Sequence, residues 1–134
     1  MSRPEFTMEL TAQRADIDEL GHVNNAVWVQ WIQKVAIAHW DAAAPDELKD
    51  EVFWVVTRHE IDYLRALEEG ETVTARTWID PEAKGARSVR HMEFEKDGKV
   101  HVRAATQWAM IDKASARPAR VRARHLAPFT GTGD

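Results

Sequence analysis

The sequence predicts an α+β fold in which an antiparallel sheet of about five to six strands wraps one long helix. Three observations carry this expectation. One segment, near 24–44, has helical periodicity. The segments after it alternate with a period of two. Strong turn signals at Gly70, at 81–85 and at Asp97-Gly98 separate those segments. A helix with an apolar stripe must bury it, and a meander that follows it in sequence is the surface available to cover it.

The elements follow in order. Residues 5–14 alternate loosely and read as a first strand, and 16–23 reads as a loop containing acids, a glycine and a histidine. From Asn24, apolar side chains at Trp28, Trp31, Ile32 and Val35 recur at spacings of three and four. Asn24 suits the N-cap, and Pro45 ends the helix near Ala44 by disfavouring helical geometry in the residue before it. Beyond Pro45 the chain reads as strands. Residues 52–57 are rich in β-branched and aromatic side chains and run on to Leu64. Val73, Ala75, Thr77 and Ile79 alternate with Thr72, Thr74, Arg76 and Trp78. A strand over 88–95 enters a hairpin at Asp97-Gly98, and Val100 to Met110 alternates over eleven positions. Residues 118–126 suggest a last edge strand with Arg120, Arg122 and Arg124 on one face, and 128–134 a mobile tail.

Composition bounds the function. A chain of 134 residues suits one domain, 1–134. Its hydrophobic content of 44% and charged content of 30% fit a folded soluble domain. The net charge of −4 gives no general attraction to nucleic acid or to an anionic membrane surface. The first ten residues lack the apolar stretch of a signal peptide, and no apolar run approaches a membrane span. The absence of cysteine excludes disulfides, thiolate nucleophiles and Cys-ligated zinc, and fits a reducing, cytoplasmic setting. Six tryptophans fill a core, or line an apolar pocket or a subunit interface.

Chemistry concentrates in Asp16-Ile17-Asp18-Glu19-Leu20-Gly21-His22-Val23-Asn24-Asn25, just ahead of the helix. A helix start leaves backbone N–H groups unpaired and favours negative charge, so it can bind an anion or polarise a carbonyl. A carboxylate on the entering loop can then attack or activate water, and Gly21 allows a tight backbone path. The same residues also fit a purely structural role, with Asn24 and Asp18 as caps and His22 as a loop residue.

These residues, followed by Trp28, resemble the signature of the 4-hydroxybenzoyl-CoA thioesterase-like family of hotdog proteins. Its pattern D-x-D-x-x-G-H-V-N-N-x-x-Y is met at every named position but the last, where Trp28 replaces Tyr. Glu60-Ile61-Asp62-Tyr63-Leu64-Arg65 with Gly70, Lys84-Gly85-x-Arg87-Ser88 and Arg117-Pro118 resemble later segments of the family, in the right order. The resemblance implies a hotdog fold, protomers paired into dimers or tetramers, and a site at the dimer interface. It implies hydrolysis of an acyl-CoA with Asp18 as nucleophile or general base and the Asn25 backbone N–H polarising the thioester carbonyl. Gly21, His22 and Asn24 take supporting positions. Gln33 stands where some relatives carry a glutamate, and Trp28 removes a hydroxyl from the pocket mouth. Trp28 either limits the acyl pocket or packs the core.

CoA carries phosphates, so Lys84 and Arg87 are candidates to bind them, a solvated charged face being the alternative. No cofactor is implied. No H-x-H or H-E-x-x-H spacing supports a metal, and His59, His91 and His101 read as strand residues with local hydrogen bonds. Ser2, Ser88 and Ser115 lie outside any G-x-S-x-G elbow. The alternative within the same fold is a non-catalytic module that binds acyl thioesters. A hotdog dehydratase would show a different, His-centred motif.

Overall fold

In the computed structural model, which describes residues 3–131, the expected helix is α1 (Asn25–Ala43). Asn24 is its N-cap, with the side-chain oxygen accepting from the Ala26 N–H at 2.8 Å, and Ala44 is its C-cap ahead of Pro45. Its buried face holds Trp28, Trp31, Ile32, Val35, Ala36 and His39, which extends the predicted stripe by one turn.

Around α1 lie β1 (Phe6–Thr11), β2 (Val52–Tyr63), β3 (Thr72–Ile79), β4 (Arg87–Lys96), β5 (Lys99–Asp112) and the two-residue β6 (Arg117–Pro118). All pairings are antiparallel, in the order β1-β3-β4-β5-β2, with β6 on the end of β5. Side chains alternate across the sheet, so Val73 and Ala75 of β3, Met92 and Phe94 of β4, and Val102 and Ala104 of β5 form one face. That face closes on Trp28, Trp31, Ile32 and Val35 of α1. Register shifts at Val56/Arg58 and at Phe94/Glu95 mark bulges, which increase local twist and help the sheet curl. Asp97 and Gly98, with φ of 52° and 76°, make the β4–β5 hairpin with two positive φ angles, as the Asp-Gly pair predicts.

The structure departs from expectation after Pro45 and after Pro118. Residues directly after Pro45 form a short helix, α2 (Asp46–Glu51), not the approach to a strand. Its acids Asp46 and Glu47 sit in the first turn, where they complement the dipole. The expected edge strand over 118–126 is absent beyond Pro118, and α3 (Ala123–Thr130) takes its place. Leu126 and Phe129 lie three apart, so a helix sets both on one face, whereas a strand would turn them to opposite faces. They pack in a second apolar cluster with Leu48, Val52 and Met110. His125 completes the helix start by accepting the Arg122 N–H on Nδ1 at 2.8 Å. Arg124 therefore does not share a strand face with Arg120 and Arg122, but pairs with Glu51 at the end of α2. The tail is corrected in part. Residues 128–130 belong to α3 and Phe129 is buried, while 132–134 lie outside the described residues.

Candidate functional site

The loop ahead of α1 is closed by a β-bridge between Ile17 and Val23. Within it the Asp18 N–H donates to the His22 carbonyl at 2.9 Å, and the Gly21 N–H to the Asp18 carbonyl at 3.0 Å. Gly21 has φ of +83°, a backbone state L side chains resist, while the space around it is open. The glycine is needed for the turn rather than for clearance. The Val23 N–H donates to the Leu67 carbonyl at 2.8 Å, which ties the loop to the β2–β3 connection.

The two motif acids each spend one carboxylate oxygen on a backbone N–H, and differ in place. Asp16 Oδ2 accepts the Gln13 N–H at 2.8 Å and its carbonyl accepts the Asn24 N–H at 2.9 Å, but Asp16 does not line the cavity that Asp18 lines. Asp18 accepts the Leu20 N–H on Oδ1 at 2.9 Å, and its Oδ2 has no partner among the described residues. Asp18 is half-buried and lines a cavity of about 430 Å³ together with His22, Asn24, Asn25 and Trp28.

At that cavity the Asn25 N–H has no acceptor among the described residues, whereas the Asn24 side-chain oxygen is taken by the Ala26 N–H. An unpaired carboxylate oxygen and an unpaired helix-start N–H thus belong to residues that line one cavity. That pairing can supply a base or nucleophile and a donor for a developing oxyanion.

Trp28 both lines the cavity and packs the core. It is 2% exposed, with its ring edge-on to Trp31 at 5.0 Å and to Phe94 at 5.2 Å. The far wall comes from Tyr63, Leu64 and Arg65 at the end of β2. Tyr63 donates its hydroxyl to the Asn25 carbonyl at 3.3 Å and so braces the helix start. These three were legible only as part of a matched segment. That Tyr63 is the single tyrosine of the chain was the available signal.

Lys84 and Arg87 lie elsewhere. Both are exposed and line a groove of about 1110 Å³ with Val55, Pro81 and Gln107. Arg87 pairs with Ala109 of β5, while Tyr63 beside Asp18 pairs with Val102. Seven residues of β5 separate those rows, about 23 Å along the strand. Within one chain, Arg65 is the cation on the Asp18 cavity. The strand histidines have the local partners expected of them: His59 with Thr106 Oγ1, His91 with Asp80, and His101 with the Ala66 carbonyl.

Comparison with known proteins places these observations. The sequence model of the thioesterase-like superfamily matches residues 13–129. YneP of Bacillus subtilis (strain 168), a candidate acyl-CoA thioesterase, is 26% identical over 118 residues, 85% of each chain. The chloroplastic acyl-[acyl-carrier-protein] hydrolase FATB3 of Cuphea viscosissima is 27% identical over 78 residues, 58% of this chain, and the match spans only 19% of that protein's length. Among solved structures, a 1,4-dihydroxy-2-naphthoyl-CoA thioesterase from Synechocystis superposes with a TM-score of 0.77 at 16% identity, covering 92% of this chain and 94% of that one. Likeness at that identity speaks to the fold, an antiparallel sheet curled around a helix.

Proposed function

The chain belongs to the thioesterase-like superfamily, and from that premise we propose that it hydrolyses an acyl-CoA to the free acid and CoA. The observation that carries this reading is the pairing of Asp18 with the Asn25 N–H on one cavity, each with bonding capacity the fold leaves unused. The thioester carbonyl oxygen accepts from the Asn25 N–H, and the Asp18 carboxylate faces the carbonyl carbon. Acting as base, Asp18 takes a proton from water as the water oxygen bonds to that carbon. The tetrahedral intermediate then expels CoA as thiolate, which recovers the proton. Acting as nucleophile, the Asp18 carboxylate would displace CoA thiolate to form a mixed anhydride, which water opens to the free acid and the Asp18 carboxylate, the proton released going to the thiolate. Gly21 sets the turn, Asn24 frees the Asn25 N–H by capping the Ala26 N–H instead, and His22 borders the cavity.

The site is read as completed by a second copy of the chain. β2 is an edge strand, and antiparallel pairing of two β2 strands across a two-fold axis would set the Tyr63 end of one against the Val52 end of the other. Lys84 and Arg87 of a partner copy would then lie nearer one Asp18 than those of its own chain. Arg65 serves the CoA phosphates from the same chain.

Asp18→Asn tests the reading. The amide can still accept the Leu20 N–H, so the loop should hold, but it can neither attack nor take a proton. Thiol release from a panel of acyl-CoA thioesters should fall by about 10²–10⁴ with the melting temperature unchanged. A variant that retained more than a tenth of the activity would exclude Asp18 as the catalytic group. A wild type that binds acyl-CoA and releases no thiol would instead be a binding module.

A further inference from the structure

The other half of α1 carries a second cavity that shares no residue with the first. It has a volume of about 220 Å³ and is walled by Trp40, Trp54, Ile79, Leu126 and Phe129. Its polar lining includes Arg90 and Trp108. Ala36, where this cavity meets α1, stands eleven residues beyond Asn25, about 17 Å along the helix axis.

Arg90 is 7% exposed and takes part in no ion pair among the described residues. Only Nη1 is used, donating to His39 Nδ1 at 2.9 Å and to Thr77 Oγ1 at 3.0 Å. A guanidinium cannot accept, so His39 Nδ1 is the acceptor and that ring is neutral. Burial brings the Arg90 pKa down to about 10, which leaves it a cation at neutral pH. Nη2 and Nε have no acceptor among the described residues, and the Trp108 Nε1–H, which is buried, has none either. No acid lines the cavity. A buried cation without an anion is costly, and hydrogen bonds to two neutral groups do not neutralise it.

We propose that this cavity binds a small amphipathic acid, with its carboxylate on Arg90 and its apolar body among Trp40, Trp54 and Phe129. One cation matches one carboxylate, whereas a phosphate dianion would bring a second buried charge with no partner. The carboxylate comes either from a free acid or from the far end of a longer acyl group, and the chemistry of recognition is the same.

The wild type should be titrated with hexanoate and with hexan-1-ol, following tryptophan fluorescence, since Trp40, Trp54 and Trp108 line the cavity. Hexanoate should bind at least tenfold tighter than the alcohol. Arg90→Met should remove that preference while leaving the alcohol unchanged, and Arg90→Lys should restore part of it. A second arm compares hydrolysis of hexadecanedioyl-CoA with palmitoyl-CoA, chains long enough to span the distance between the two cavities, to read whether the carboxylate belongs to the acyl group. An Arg90-dependent preference for the carboxylate in either arm supports the site. Equal affinity of the wild type for acid and alcohol, with no preference for hexadecanedioyl-CoA, overturns it without any variant, and does so whether or not the protein is a thioesterase.

Discussion

At the residue scale, a side chain's part is decided by where the backbone sets it. Asp16 and Asp18 are two positions apart in one motif and each gives one oxygen to a backbone N–H, yet only Asp18 lines the cavity at the start of α1. Trp28 is a core residue first. Trp28→Ala should cost about 3–5 kcal/mol, visible as a lowered melting temperature, so any role in acyl selection is better tested with Trp28→Phe. Retention of the wild-type chain-length optimum by Trp28→Phe would assign the indole to packing alone. His39 makes stability depend on pH. Burial first, and the Arg90 charge second, lower its pKa from 6.5 to about 4. The folded state therefore resists a proton that the unfolded chain accepts. Stability is full above pH 6.5 and falls as pH drops toward 4, by on the order of 3 kcal/mol. His59 and His125 are shifted downward by burial as well and add in the same direction. Urea melts between pH 7 and 4.5 should show this slope, and His39→Gln should flatten it in part.

At the scale of elements, the loop ahead of α1 and the helix α3 depend on different devices. The loop is a local construction, closed by the Ile17–Val23 bridge and turned at Gly21. Gly21→Ala must place a Cβ at φ near +83°, which costs about 1–2 kcal/mol. It should lower thiol release more than global stability, as measured by turnover beside a thermal melt. α3 is held by tertiary contact. The Phe129 ring stacks on Trp40 at 5.7 Å and meets His39 edge-on at 5.0 Å. Phe129→Ala should destabilise the protein by about 3–5 kcal/mol and open the second cavity, so hexanoate binding should weaken even where the fold persists.

At the scale of the whole molecule, the sheet has two edges, β1 and β2. β2 is twelve residues long and exposes Phe53, Val55 and Tyr63 at about two-fifths of their surface each. A long apolar edge is a template for pairing unless another chain covers it. Static light scattering should give twice the chain mass or more at micromolar concentration. Val55→Lys should shift that mass toward one chain and reduce activity together with it. A stable wild-type monomer with full activity would mean that each chain carries a complete site.

The sequence by itself determined the elements whose signals are local. The helix α1 follows from apolar spacing and from Asn24 and Pro45 at its ends. The β4–β5 hairpin follows from Asp97-Gly98, and the candidate site loop from acids and a glycine beside a helix start. These depend on neighbours a few residues away, which a linear reading sees. Only tertiary structure decided the rest. Residues 118–126 alternate well enough to read as a strand, but the apolar surface of Trp40, Leu48 and Met110 offers more burial to a helical Leu126 and Phe129. Arg90 sits inside an alternating strand, β4, whose pattern alone does not say which face is buried. That it is a buried cation without an acid depends on His39 and Thr77, fifty-one and thirteen residues away. Lys84 and Arg87 are near the motif in chemistry and far from it in space, because strand register, not sequence pattern, sets which end of a sheet a side chain occupies.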